Sequence, residues 1–492
     1  MISLGKKTLI ASAVTAALGS SAAFAVPPTV NPGANVFYAG GGSAQANAFY
    51  VAACKLFGNN MDVYSNAGAT LSGNYYVMYG TTIAALGGLP AGTNVMYIYK
   101  FNGGSFTNGV APQKAAGPTL LPYETVASIL TGTLVAGATQ GTACTTGLPT
   151  YSYTGVADPT QHAPDFGLAD VEVGMFQGYN NPTGNAGGAA VNTNGGPAPG
   201  VGVPDGIYDN LFGVAVTANV YTSAAHPKTN FSRAEVAGIL SGSISDWSQL
   251  YDDNGAQINA GGIVFLDRGE GSGTKASGNQ YFLGYPGDSP GSVLPFSATT
   301  GYCGVTLLAC GNAQASLDIA EASTNAAIAD LKNAQAAGIR AIAILGLENP
   351  PHKNQVGGLN VYDFTKINGV AVDTGAAGDD INGPVATSYI NVVKGNYDFF
   401  YQNSFNTRST LAGQNLQNAN AFKAQMTLAT FVGANAGVGF PTAVSGTLVD
   451  ANKAAALAKG VTLHTRNKIS TGPLTPFFLA TPAGIPAGSD PL

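Results

Sequence analysis

The chain has 492 residues, a formal net charge of −6 and a charged fraction of only 9%, against about 25% in typical soluble proteins. An acidic balance argues against nucleic acid as a partner, because phosphate backbones demand basic surface. With 67 glycines and few charges, surface polarity falls to Asn, Thr, Ser and Gln, which suits an extracellular setting or a surface-coating protein.

The first residues have the form of a secretory signal. Lys6 and Lys7 give a positive start, Thr8 to Leu18 an apolar stretch, and Ala23-Phe24-Ala25 a small-residue cleavage site. Cleavage after Ala25 removes Lys6 and Lys7. It leaves 18 basic against 26 acidic residues, a net charge near −8. The apolar stretch is too short for a membrane span, and no later one approaches about 20 uninterrupted apolar residues. The expectation is a soluble exported protein, periplasmic or secreted, with two or three domains or lobes.

Strand-like and helix-like segments then alternate, which predicts an α/β fold. Asn35 to Tyr38 is a short strand. A glycine turn at 40–43 follows, then a helix over Ala44 to Phe57 with Ser43 as its N-cap. Asn94 to Phe101 is a strand running into Gly103-Gly104-Ser105. Pro122 to Leu130 predicts a short helix ended by Gly132. Residues 175–210 are rich in Gly, Asn and Pro and predict a long loop or disordered insertion. Its Asp205 and Asp209 are too few for a calcium loop. Leu211 to Tyr221 is a strong buried strand. Ser232 to Glu235 is a capping box, opening a helix to about Leu240 that stops at Gly242. Gly262 to Leu266 is a strand, Asn325 to Ala337 a helix closed by Gly338, and Ala341 to Leu345 a strand. Leu416, Ala419, Phe422, Met426 and Ala429 mark one face of a late helix.

Cys54, Cys144, Cys303 and Cys310 in an exported chain predict disulfides. The spacing of Cys303 and Cys310 suits a local staple, which leaves Cys54–Cys144 as a long-range bridge. Zinc is the alternative, but no His stands at ligand spacing from them.

Chemistry concentrates in turns that share one grammar: strand, glycine turn, hydroxyl, helix start. They are GGGS at 40–43, NGGS at 102–105 and GEGSGT at 269–274. A fourth turn, Asp165 to Asp170, supplies carboxylates. Backbone N–H groups at a helix start carry partial positive charge, and glycine lets them approach a ligand. Arg268 adds a planar fork suited to an oxyanion. A carboxylate beside these donors accepts a hydrogen bond from a protonated anion such as hydrogen phosphate, and repels a sulfate that carries no proton.

On these residues the chain resembles the periplasmic phosphate-binding proteins that feed phosphate ABC transporters. Arg268 to Thr274 is similar to that family's RSDGSGT, and Asp165 to Asp170 to its DFGASD. Gly104-Ser105 is similar to its GSG-type turn, and Ala39 to Gln45 to its GAGATFP. FGVAVTANVY followed by SRAEVAGILSGSISDW resembles its hinge strand, helix and Trp, here Trp247. The order holds across roughly residues 35 to 435. Departures are Ser43-Ala44 in place of Thr-Phe, Gly269 and Ala169 in place of serines, and added stretches at 57–94, 106–160 and 175–210.

The resemblance implies a two-lobed type II periplasmic-binding-protein fold with two crossing hinge strands and a cleft. Lobe I would be 26–213 plus 346–492, and lobe II 214–345. It implies anion contacts from Ser43, Ala44, Ser105, Asp170, Arg268, Ser272, Gly273 and Thr274, with Glu270 holding Arg268. It further implies no cofactor, no metal and no catalysis. The ligand would be inorganic phosphate or a similar tetrahedral oxyanion, the protein a monomer and its partner an ABC transporter permease.

Three rival readings carry less. GEGSGTK misses the phosphate-binding nucleotide loop because Thr274 stands where glycine should precede lysine. Residues 271–276 fit only a loose dinucleotide fingerprint. A phosphatase-like hydrolase lacks a Gly-x-Ser-x-Gly elbow, and His162, His226, His352 and His464 are scattered. A secreted scaffold that reuses the binding fold is the third.

Overall fold

The computed structural model describes residues 35–181, 205–285, 317–371 and 396–427, leaving out a few positions within them. It also describes a strand pair at Thr465–Arg466 and Leu479–Ala480. The signal segment, Cys303, Cys310, His352, His464, Ala429 and most of 175–210 lie outside the described residues.

Thirteen strands form one mixed sheet among these residues. They are β1 (Val36–Gly41), β2 (Met61–Ser65), β3 (Tyr75–Thr81), β4 (Asn94–Lys100), β5 (Thr133–Leu134), β6 (Tyr151–Ser152), β7 (Phe166–Ala169), β8 (Asp205–Thr217), β9 (Val264–Arg268), β10 (Leu317–Glu321), β11 (Ala341–Gly346), β12 (Tyr362–Phe364) and β13 (Phe400–Asn406). The main helices are α1 (Ala46–Leu56), α2 (Arg233–Leu240), α3 (Gly273–Leu283), α4 (Thr324–Ala336) and α5 (Gly413–Thr427). The strand order is β10-β9-β11-β8-β13-β7-β1-β4-β3-β2-β6-β5, with β12 also on β8.

Two parallel cores sit in this sheet. One is β7-β1-β4, the other β10-β9-β11. Antiparallel β8 and β13 join them. The first half of β8 pairs with β13, as at Leu211↔Phe400, and the second half with β11, as at Phe212↔Gly346. Parallel strands need cover on both faces and are correspondingly apolar. β4 is buried at five consecutive positions and β11 along its whole length.

On one face of the first core, α1 and α5 pack through Phe49, Tyr97, Phe166 and Phe422. Rings of Phe49 and Phe422 lie 4.5 Å apart. Burying each such side chain is worth about 1.5–3 kcal/mol. The Cys54–Cys144 disulfide ties α1 to the 140s. The added stretches 57–94 and 106–160 extend the sheet with β2, β3, β5 and β6. Tyr64, Tyr75, Tyr79, Tyr123, Tyr151 and Tyr153 fill the layer behind them.

Most local signals hold. Ser232 accepts from Glu235 N and the Glu235 side chain returns to Ser232 N, a complete capping box. Ser323 caps α4, and Gly338 closes it at φ 70°. Ala419, Phe422 and Met426 form the buried face of α5.

Four expectations fail. The 175–210 segment does not end as a loop, because Asp205 to Asn210 begin β8 and pair with β13. Leu211 to Tyr221 is not strand throughout: β8 stops at Thr217 and Ala218–Tyr221 turns as a short helix. Thr217 donates its hydroxyl to Asn219 at 2.7 Å, a local bond that competes with continued extension. The helix expected over 122–130 covers only Val126–Leu130, because Thr125 accepts from Ser128 N and caps it there. Ahead of it, Leu121 and Glu124 bridge to His162 and Ala157 as extended chain. Finally, Ser43 does not cap a helix over 44–57. Ser43–Gln45 is a 3-10 turn, and α1 starts at Ala46 with no side-chain cap.

Candidate functional site

Ligands of open α/β sheets bind beyond the carboxyl ends of parallel strands. β1, β4 and β9 end in the glycine turns singled out above, whereas the segment expected as a fourth turn, Asp165 to Asp170, is mostly the strand β7 (Phe166–Ala169) with Asp170 just past its end; the fold brings these strand ends together. A carbon added to Gly42 would stand 2.3 Å from Ser105 Oγ and 2.5 Å from Asp170 Oδ1. One added to Gly273 would stand 2.5 Å from Asp170 Cβ. Only glycine permits such approach. The turns are also stitched by backbone: Phe106 N donates to Gly271 O at 2.9 Å, and Gly271 N to Asn180 O at 3.0 Å. Tyr99 Oη donates to Gly42 O at 2.9 Å and holds the first turn in place.

Asp170 lies at the centre and is 4% exposed. Its backbone N–H donates to Ser105 Oγ at 3.3 Å. Gln45 Nε2 donates to Asp170 Oδ1 and to Asn210 Oδ1, each at 3.2 Å. Asn210 Nδ2 donates to the Asp170 carbonyl. Burial pushes the Asp170 carboxyl above the usual carboxylate range, while Ser105, Gln45 and the charge of Arg268 pull the other way. Asp165, at the front of the same motif, serves the fold. It accepts from Tyr38 N at 2.9 Å and Asn415 Nδ2 at 2.6 Å.

Arg268 is the last residue of β9 and is 5% exposed. Its Nη1 donates to Thr324 Oγ1. Thr324 and Ser43 share a hydroxyl contact at 3.4 Å, so the turn after β1 reaches the start of α4. Ser272 caps α3 by accepting from Lys275 N at 3.4 Å, and Gly273 and Thr274 are its buried first residues. The 3-10 turn at Ser43 and the starts of α3 at Gly273 and α4 at Thr324 are therefore linked around Asp170 and Arg268 by the Ser43–Thr324 and Arg268–Thr324 contacts and the close approach of Gly42 and Gly273 to Asp170. Ala44 is half-buried in the first of them.

Glu270 does not hold Arg268. It is exposed, and the charge acting on its carboxylate is that of Lys275. Arg268 instead acts on Asp170 and Glu321. Glu321 ends β10 as the Cα partner of Arg268.

Gln45, Asn210, Glu321 and Thr324 were missed by sequence reasoning. Glu321 to Thr324 do follow a strand and open a helix with hydroxyls, but without the glycine that marked the other turns. Gln45 and Asn210 carry no local signal.

His162 pairs with Asp158 at 3.0 Å and stacks on Tyr38 at 4.0 Å, while His226 pairs with Asp252 at 3.1 Å. Among the described residues, no cluster of His, Cys, Asp or Glu could hold a metal ion, and no helix is long and apolar enough to cross a membrane.

Residues 206–430 match the family model of the PBP superfamily domain. Among solved structures the chain is similar to an ABC-type phosphate transport receptor from Vibrio cholerae, at 14% identity. That match covers 55% of this chain and 79% of that one, with a TM-score of 0.30. It is also similar to PstS from Borrelia burgdorferi, at 16% identity over 46% of this chain and 66% of that one, with a TM-score of 0.26. No curated protein sequence matches the chain. The domain and the mixed sheet, with its two parallel cores joined by β8 and β13, fit a two-lobed type II periplasmic binding fold.

Proposed function

We propose that this protein is an exported solute-binding protein that captures inorganic phosphate, as hydrogen phosphate, between two lobes. Residues 26–213 with 346–492 would form one lobe and 214–345 the other. Delivery would be to an ABC transporter permease, with the protein acting as a monomer in the periplasm or outside the cell. No bond is made or broken.

The observation that carries this reading is buried Asp170 set among Ser105, Gln45 and Gly273, within the electrostatic reach of Arg268. Arg268 and the N–H groups at Ser43, Ala44, Ser272, Gly273 and Thr274 satisfy the anion's unprotonated oxygens. The hydroxyls of Ser43, Ser105 and Thr274 complete the donor set. Charge-assisted bonds of this kind are worth about 1.5–3 kcal/mol each. Asp170, as carboxylate, accepts from the phosphate's own O–H. Sulfate brings no proton and would place an oxygen lone pair against that carboxylate.

Calorimetric titration with phosphate, sulfate and arsenate tests the reading. Phosphate and arsenate should bind and sulfate should not. Equal binding of phosphate and sulfate removes the role given to Asp170, and no heat with any of them removes the anion site itself.

A further inference from the structure

Trp247 takes no part in the anion site. It is the single tryptophan of the chain and is fully buried. Arg340 lies over its ring, with the guanidinium carbon 5.3 Å from the centroid, a separation at which an aromatic face attracts a cation. Arg340 Nη2 donates to the carbonyls of Asn259 at 2.9 Å and Ala260 at 3.2 Å, which fixes the fork in place. Among the described residues this half-buried guanidinium has no ion-pair partner. Asp246 acts on it only at longer range, and that carboxylate already accepts from Ser248 and from Gly261 N.

Arg340 and Trp247 border a cavity of 290 Å³ that Asn219, Val220, His226 and Ile258 also line. The early end of β8 at Thr217 creates one wall, because the short helix that follows carries Asn219 and Val220. Thr217 donates its hydroxyl to Asn219 Oδ1 at 2.7 Å. That bond engages the amide oxygen and leaves the NH2 donors for a guest. Val220 and Ile258 are buried and apolar, and His226 is held by Asp252 at 3.1 Å. A cation without a counter-charge, amide donors and an apolar wall together complement a small organic carboxylate.

The cavity is separate from the anion turns. β9 and β11 run parallel with Val264 opposite Ala341, so Arg340 stands five residue steps before Arg268, roughly 16 Å along the strands. It lies at the amino ends of strands whose carboxyl ends carry the anion turns.

We propose that this cavity is a second binding site, for a small carboxylate with a short apolar tail, held by Arg340 and Asn219 with its tail against Val220 and Ile258. Phosphate capture at the far end of the strands is not required for it.

The lone tryptophan makes the test direct, because its indole N–H gives one nitrogen-15 NMR resonance and lies under the guanidinium. Acetate, hexanoate and hexanamide serve as probes. Hexanoate should shift that resonance saturably at about millimolar concentration or below. Acetate should bind at least about tenfold more weakly, lacking the buried methylenes, and hexanamide at least about tenfold more weakly, lacking the charge. Arg340→Met keeps much of the apolar stem and should lose about tenfold or more in hexanoate affinity. Asn219→Asp keeps an acceptor for Thr217 and sets a like charge in the cavity. It should also lose hexanoate, at a melting temperature close to the natural one. No saturable shift with hexanoate overturns the site and leaves Arg340 a brace for Trp247. So does equal binding of hexanamide, or unchanged hexanoate affinity in Asn219→Asp. Phosphate added in place of hexanoate should leave the resonance where it is, and competition between the two would mean a single shared site, which also overturns the proposal.

Discussion

Gly273 lies so close to Asp170 that an added carbon would stand 2.5 Å from the aspartate Cβ and 2.8 Å from its Oδ2. The obstruction is a Cβ tied to backbone, so it cannot swing aside. Gly273→Ala should therefore push the turn after β7 away from the start of α3. Loss of about tenfold or more in phosphate affinity is expected from an ångström-scale misplacement. The melting temperature should change little, since alanine favours a helix by up to about 1 kcal/mol over glycine. Unchanged affinity would mean that the two turns need not touch.

Asp170→Asn keeps the shape and removes the charge. The amide can donate to an unprotonated oxygen, so sulfate should gain affinity while phosphate loses its preference. Arg268→Ala should abolish most binding of either anion, a cost of about 2–5 kcal/mol for truncating one partner of a buried charged contact. Competition calorimetry reads both.

The Cys54–Cys144 bridge closes 90 residues of chain. Replacing both cysteines by serine should lower stability by about 2–5 kcal/mol, mainly by freeing the unfolded chain. Phosphate affinity at low temperature should persist, because the bridge ties α1 to the 140s rather than to the anion turns. Denaturant unfolding and titration of the same sample separate the two effects.

Asp62 is fully buried, and burial raises its carboxyl from 3.8 to about 6 against bonds from Gly141 N and Thr150. Its Oδ2 has no hydrogen-bond partner. The folded state thus holds its proton over a range where the unfolded chain releases it. The stabilising contribution is complete below 3.8 and is lost as pH rises through about 6. Asp62→Asn should lack this slope and be more stable at neutral pH by roughly 1–3 kcal/mol. Equal pH slopes in denaturant melts of the two proteins would contradict this.

The glycine turns, the capping box at Ser232 and the α5 face could be read from the chain because each depends on neighbours within a few residues. The convergence of Ser43, Ser105, Asp170, Arg268 and Gly273 depends on strand order, and only the resemblance pointed to it. Gln45, Asn210 and Thr324 escaped because their partners lie 125, 40 and 56 residues away. Glu321 escaped for a different reason: its neighbour Arg268 is set by parallel register, which leaves no pattern in either strand alone. The opening of β8 was hidden inside a glycine-rich stretch whose composition outweighed its pairing. Glu270 misled because an acid near an arginine in sequence need not face it in space.

Among the described residues, the long sheet stops at its far end at β5, two exposed residues, Thr133 and Leu134. A chain with so few charges has little mutual repulsion to keep its copies apart. So short a margin gives a second molecule almost no row of backbone groups to zip onto. On that side, then, a short border adds to the repulsion that a net negative charge supplies.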